Sequence, residues 1–172
     1  QIDSWGVGTK LITSEDYPAL GGVYKLSAMQ EPDGALEPRI KLSENIWKIT
    51  NPGYKKVVRI YSKLENKALA DLIMLADETI DESQPLTIFS PTATWKTMTL
   101  TNYFTKELLQ PIFVNGKQVY VSPTLMEIQA YAKEQMNTLW DEYKRFTNPH
   151  IYKVDLSQKL YDLKNHLIRT RR

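Results

Sequence analysis

The stretch Gly6-Val7-Gly8-Thr9, followed by Lys10, gathers the residue types best suited to chemistry at close spacing. A loop that anchors a phosphate on main-chain N–H groups needs residues without a Cβ, so that the backbone can approach the anion and adopt φ > 0. A helix starting just downstream would add its dipole. The Thr9 hydroxyl can donate a further hydrogen bond, and Lys10 can supply charge. Spacing alone does not fix a ligand. The third glycine of the dinucleotide fingerprint is missing, and no Gly-Lys-Ser/Thr of a Walker loop follows. Two readings therefore stand side by side, a phosphate cradle and a tight turn with packing glycines. Gly21-Gly22, ahead of a strand, reads first as a turn or bulge and second as a ligand site.

Other chemistry finds little support. The only histidines, His150 and His166, are sixteen residues apart with no acidic or histidine partners at metal-ligand spacing, which argues against zinc. His150 follows Pro149 at a helix end and suits a structural hydrogen bond; His166 sits among polar neighbours on a solvent-facing surface. The absence of cysteine removes disulfides, a thiol nucleophile and thiolate metal sites, and it suits a reducing compartment. No Gly-x-Ser-x-Gly is present. No residue of the chain is therefore assigned a catalytic or metal-binding role.

Charge and length narrow the class further. The 172 residues carry 22 Lys+Arg against 20 Asp+Glu, a net charge of +2, with 42% hydrophobic and 24% charged residues. That composition is globular, and the length suits one domain, or one domain with a small appendage. Lys55-Lys56 and the run from Arg169 to Arg172 are too short for a nucleic-acid or membrane-surface protein. No apolar run reaches the roughly 20 residues that span a bilayer. The chain opens at Gln1 and is dense and Gly-rich by Trp5-Gly6, so the expectation is the downstream piece of a longer protein.

The elements that must position these residues follow from periodicity and turn chemistry. Residues 1–22 read as loop. Val23–Met29 and Ile40–Ser43 flank Pro32-Asp33-Gly34 and predict a hairpin over 23–43. Asn51-Pro52-Gly53 turns the chain into a strand at Val57–Tyr61, and Glu65-Asn66 turns it again into Ala68–Met74. The acidic stretch Asp77–Glu82 reads as a solvated loop. Strands follow near Leu86–Phe89 and Lys96–Leu100; then Leu108–Val114 and Lys117–Val121 flank Asn115-Gly116, a strong hairpin signal. Thr124 and Glu127 form a capping box. Leu125, Ile128, Tyr131, Ala132, Met136, Leu139, Trp140 and Tyr143 then mark one apolar helix stripe, expected to be core, over about 22 residues. Asn148-Pro149 ends it, Ile151–Val154 is extended, and Asp155 to Gln158 predicts a second capping box. Leu156, Leu160, Leu163 and Leu167 face a last helix.

Several ordered strings make the sequence more specific than the glycine motif. They are Asp3–Leu11, Ala19–Leu26, Ile40–Glu44, Lys48–Gly53, Leu139–Arg145 and Asn148-Pro149-His150. Together they resemble the nicotinate phosphoribosyltransferase family, in the bacterial form that carries a C-terminal extension. The resemblance runs from end to end and departs at Asn45-Ile46-Trp47, a surface turn. It implies a cytoplasmic enzyme of NAD biosynthesis and salvage. That enzyme joins nicotinate to phosphoribosyl pyrophosphate, gives nicotinate mononucleotide and pyrophosphate, couples ATP hydrolysis to the reaction and uses Mg²⁺. The implied fold is α+β: the final part of an irregular α/β barrel of the type II phosphoribosyltransferase kind, strands of a β domain, and a C-terminal helical extension.

The expected divisions are 1–22 as the last phosphate-loop segment of the barrel, 23–121 as mostly β, and 122–172 as the helical extension. The resemblance assigns Gly6, Gly8 and Thr9 to the 5′-phosphate of the phosphoribosyl group. It places the phosphorylated histidine and the nicotinate- and pyrophosphate-binding residues upstream of this chain. Alone, the chain is then expected to be inactive and to bind neither Mg²⁺ nor ATP. Its implied partners are the upstream portion of the same enzyme and a second copy in a homodimer, with no nucleic acid and no membrane. A competing reading makes 23–172 a non-catalytic structural or assembly module, resting on the missing catalytic constellation and the apolar helix stripe.

Overall fold

Pro32-Asp33-Gly34 reverses the chain between two short antiparallel strands, β1 (Ala28–Gln30) and β2 (Leu36–Pro38), in a computed structural model that describes residues 2–8, 11, 13, 19 and 21–170. The Asp33 carboxylate accepts from the Ala35 N–H at 2.9 Å, the local bond that makes Asp a turn former. The hairpin expected over 23–43 is thus shorter, and Ile40–Ser43 does not pair in it. Pro38 has no N–H to continue the ladder. Beyond it, Arg39 N donates to the Ser27 carbonyl, and the chain then turns to pair with Thr50 instead.

The centre of the molecule is a mixed sheet of β3 (Lys55–Ser62), β4 (Ala68–Leu75), β7 (Tyr103–Glu107) and β10 (Val154–Leu156). The strand order is β10-β4-β3-β7; β3 runs antiparallel to both neighbours, and β10 runs parallel to β4. Asn66, at φ +53°, closes the β3–β4 turn, a conformation that Asn tolerates better than most residues. The alternation in these strands sends Val58, Ile60, Ala70, Leu72 and Met74 to one buried cluster. Ile88, Leu100 and Tyr103 complete it, the first two from the hairpin β5 (Leu86–Ser90) and β6 (Ala93–Leu100). Strand β7 was not expected. The aromatic pair Tyr103-Phe104 opens it, and it pairs with β3 from Val58 to Ser62. The strands expected at 108–114 and 117–121 shorten to Phe113–Val114 and Lys117–Gln118, since Pro111 cannot donate to a ladder.

The acidic stretch does more than meet solvent. Glu78 accepts from the Leu75 N–H and the Ser157 hydroxyl, both at 2.7 Å. Glu82 accepts from the Thr105 N–H and hydroxyl at 2.7 and 2.6 Å. Between them, the buried Tyr103 hydroxyl donates toward the Asp81 and Gln84 carbonyls. These bonds fasten the loop to the sheet edge and to the last helix.

A two-residue turn at Asn115-Gly116, with φ +50° and +74°, joins the short strands β8 (Phe113–Val114) and β9 (Lys117–Gln118). Helix α1 (Leu125–Thr138) begins with both bonds of the expected capping box. It stops five residues short of Tyr143. The Lys67 ammonium caps its end through the carbonyls of Asn137 (2.7 Å) and Leu139 (3.2 Å), and Leu139 is already extended. The stripe is not core: Leu125 is 78% exposed and Tyr131 56%, and among the helix residues only Thr138 is buried. Helix α2 (Gln158–Thr170) buries Leu160 and Leu167 as expected, whereas Leu156, expected on the same helix, lies in β10. Its cap is Ser157, whose hydroxyl oxygen accepts from the Leu160 N–H; Asp155, expected in that role, lies buried in β10 and pairs with Lys153 at 2.8 Å.

Candidate functional site

The most distinctive charge arrangement lies between β1, the loop 40–51 and the start of β3. Its first wall, residues 23–27, is held where the Ser27 carbonyl accepts from Gly53 N at 2.6 Å and Arg39 N at 2.8 Å. Gly53 is buried at φ +85°, so any side chain there strains the backbone, and its Cβ, 2.7 Å from Leu75 Cδ2, would also displace that leucine. The second wall is a loop folded on itself. Lys41 N donates to Thr50 Oγ1 at 2.9 Å, and Thr50 N returns a bond to the Lys41 carbonyl at 3.3 Å. A single 3₁₀ turn at Ile46–Lys48 brings Lys48 to the same side.

These walls enclose a cleft of about 800 Å³ lined by Lys25, Lys41, Lys48 and Lys55, with Ser27, Ser43, Thr50 and Asn51 between them and no carboxylate. Four lysines elsewhere on the chain pair with acids: Lys56 with Glu107, Lys144 with Asp141, Lys153 with Asp155, Lys159 with Asp77. Among the described residues, none of the four cleft lysines forms such a pair. Burial pushes the Lys55 ammonium down from its ordinary value, and its nearest hydrogen-bond acceptor is the Gly53 carbonyl at 2.6 Å. A concentration of cations with interspersed hydroxyl and amide donors can hold a multiply charged anion such as a phosphate or diphosphate.

A second cluster is closed. Arg59 and Asp71 face each other across β3 and β4 and form a two-pronged pair at 2.7 and 2.9 Å. The Tyr152 hydroxyl donates to the same carboxylate at 2.9 Å, under the Arg59 guanidinium. Burial, then the Asp71 charge, pushes the Tyr152 phenol well above its usual range; the bond to Asp71 likewise raises Arg59. Every charge here has its partner, so the cluster holds structure and offers nothing to a ligand.

Gly6 and Gly8 lie in an exposed coil, with no atom within 4 Å of where a Cβ would stand. The Gly8 carbonyl accepts from Leu11 N at 3.0 Å. Neither glycine lines the lysine cleft. Thr9 and Lys10 fall outside the described residues, as do Ser14–Pro18 and Arg171–Arg172. The main-chain N–H of His150 donates to the Glu142 carbonyl at 2.9 Å, and its ring packs edge-on near Tyr143. His166 is exposed. Among the described residues, no group of three His, Asp or Glu side chains could hold a metal ion, and no helix is long and apolar enough to cross a membrane. The cleft lysines escaped sequence reasoning because thirty residues separate Lys25 from Lys55 and none of the four forms a run with another. The only local signal was the absence of acids at 38–43 and 46–56.

A mixed sheet backed by a leucine-faced helix, with a lysine-lined cleft beside it, defines an α+β domain. Residues 54–164 match the family model described as "Nicotinate phosphoribosyltransferase C-terminal domain". The chain belongs to the nicotinate phosphoribosyltransferase family. It is 43% identical to nicotinate phosphoribosyltransferase of Bacillus subtilis (strain 168) over 164 residues, 95% of this chain and 33% of that protein. Against the Caenorhabditis elegans protein of the same name the identity is 37%, over 94% of this chain and 28% of the relative. Human nicotinic acid phosphoribosyltransferase, solved by crystallography, superposes with a TM-score of 0.62 at 27% identity, over 69% of this chain and 24% of the other. The chain thus spans about a third of the length of the curated relatives it matches.

Proposed function

We propose that this chain acts as the C-terminal part of a nicotinate phosphoribosyltransferase and binds the phosphate-bearing substrate. The reaction joins nicotinate to phosphoribosyl pyrophosphate, releases pyrophosphate, and is coupled to ATP hydrolysis. The observation that carries the reading is the acid-free cleft of four unpaired lysines in a chain of this family. The ribose carbon gains positive character as pyrophosphate departs, so rate depends on holding the phosphates in line with the incoming pyridine nitrogen. Binding energy from phosphates remote from the reacting bond serves that positioning.

In this reading Gly6, Gly8 and Thr9 hold the 5′-phosphate, and the lysine cleft adds a contact to the pyrophosphate end, for which the resemblance alone implies upstream residues. Residues 1–22 close the last part of an irregular α/β barrel, 23–121 supply a mostly β domain, and 122–172 extend it. The upstream portion brings the remaining active-site residues, the complete enzyme pairs as a cytoplasmic homodimer, and this chain alone is inactive. Mg²⁺ and ATP belong to the complete enzyme in this reading; among the described residues no group of three His, Asp or Glu side chains could hold the metal.

Joining this chain to the N-terminal two-thirds of the Bacillus subtilis relative tests the proposal. The chimera is expected to form nicotinate mononucleotide from nicotinate, phosphoribosyl pyrophosphate and ATP, and the chain alone to form none. A folded chimera without product would sink the assignment. In an active chimera, Gly8→Val should raise the KM for phosphoribosyl pyrophosphate about tenfold or more by steric exclusion of the phosphate. The pair Lys25→Ser and Lys41→Ser should do the same by removing charge. An unchanged KM would take the altered residue out of the site.

The assembly reading also has an observation behind it: Phe113, Val121, Leu125, Met126 and Tyr131, on or just before α1, are exposed large apolar side chains of the kind a partner surface covers. The two readings concern different faces and hold together.

A further inference from the structure

Helix α2 reaches the lysine cleft through one side chain. Lys164, half-buried on its inner face, donates to the Asn51 side-chain oxygen at 2.8 Å and points a second N–H at the Ile49 carbonyl, 3.4 Å away. Both acceptors belong to the wall of the cleft. Thr50, between them, is the residue that exchanges two hydrogen bonds with the backbone of Lys41. A continuous set of bonds therefore runs from the last helix, through residues 49–51, to one of the four cations. We propose that Lys164 is a positioning residue for the cleft: it fixes the 48–51 loop so that Lys41 and Lys48 converge on the bound phosphate groups. The proposal rests on the reading of the cleft as a phosphate site.

Three features separate this role from ordinary packing. The other helix lysine with a partner, Lys159, pairs with Asp77 on the exposed surface and has no link to the cleft. Lys164 has no carboxylate partner among the described residues, and burial pushes its ammonium down; a buried cation satisfied only by neutral oxygens adds its field to the cleft beside it. Loops 40–51 and 23–27 carry little regular structure, so their mutual placement depends on a few such bonds.

The test titrates inorganic pyrophosphate into the 172-residue chain by calorimetry, with the amide spectrum recorded before and after. Lys164→Met keeps the apolar stem and removes the donors. It should weaken pyrophosphate binding about tenfold, as expected for loss of charge-assisted hydrogen bonds. It should also shift the amides of Lys41 and Thr50 in the absence of pyrophosphate. Lys164→Arg should restore most of the affinity, and Lys159→Met should change neither readout. Asn51→Ala breaks the same link from the other end, and combined with Lys164→Met it should add little to either single change. This second variant decides the matter if Lys164→Met does not fold. Wild-type affinity in Lys164→Met, with binding still lost in Lys25→Ser, would overturn the positioning role and leave the cleft standing. No pyrophosphate binding by the wild-type chain would overturn the cleft itself and this inference with it.

Discussion

Two regions of the chain each carry an apolar stripe in sequence and are opposite in fate. In the sheet, Val58, Ile60, Leu72 and Met74 are at most 4% exposed. In α1 and the hairpin before it, Ile128, Tyr131, Phe113 and Leu125 are between 49% and 78% exposed. Periodicity was right about both elements: it predicted strands at one and a capped helix at the other. What it cannot supply is the other half of the contact. An apolar stripe is buried only where the chain brings a second surface to it, and β3 and β4 receive the β5–β6 hairpin while α1 receives none. The contrast separates what this chain completes within itself from what it leaves open.

The same deletion in the two regions gives the largest difference. Ile60→Ala removes a side chain with no exposure from the centre of the sheet and should cost about 3–4 kcal/mol, read as a fall in the urea midpoint. A loss below about 1 kcal/mol would mean that the core is not where the buried cluster places it. Gly53→Ala should come next, at about 2 kcal/mol or more, because the new Cβ meets Leu75 and the backbone is left-handed. Gly53 also holds the Ser27 wall, so this variant should weaken pyrophosphate binding as well.

How far the sequence was legible follows the range of each interaction. Asn115-Gly116, Asn66 and the Thr124–Glu127 box act within four residues, and the structure has a turn or cap at each. Strand β10 was read only as extended chain: its parallel pairing with β4 joins residues some eighty positions apart, which no local pattern encodes. The end of α1 was misplaced for a related reason. Trp140 and Tyr143 continue the helical spacing, but Lys67, more than seventy residues away, takes the terminal carbonyls and Leu139 turns extended. The cleft lysines are the extreme case, since each is an ordinary surface residue until the loop bonds at Ser27 and Thr50 bring them together. The glycine loop is legible only as a motif: its geometry is open, and its third residue, Thr9, is not described.

Smaller effects sharpen the sheet side of the comparison. Tyr152→Phe deletes one hydrogen bond to a carboxylate that keeps its Arg59 partner, and should cost about 1 kcal/mol. A larger loss would show that Tyr152 sets the Arg59–Asp71 geometry and is more than an added bond. Glu82 gives a pH signature. The Thr105 hydroxyl, opposed by burial and joined by the Thr105 N–H, holds the Glu82 carboxyl below its ordinary value of 4.5. A depressed carboxylate contributes stability above the unfolded-state value and loses it as pH falls through the folded-state value. Wild-type stability should therefore decline on acidification in that window, and Glu82→Gln should be less stable at neutral pH with a shallower acid limb. Identical acid limbs would remove Glu82 from the account.

The smallest effect is expected where the apolar surface has no partner. Ile128 is half-exposed on α1, so Ile128→Ala should change the urea midpoint by no more than about 0.5 kcal/mol, the range of ordinary surface substitutions. The same change should reduce self-association of the chain, measured by light scattering, because it removes part of the exposed patch. The chimera with the upstream two-thirds of the Bacillus subtilis relative then asks whether that surface is meant to be covered. If the upstream chain packs on α1, Ile128→Ala should cost about 1–2 kcal/mol there, since the side chain has become part of a core. If the cost stays near zero in the chimera, α1 faces solvent or a second copy. Sedimentation of the chimera at rising concentration separates those two.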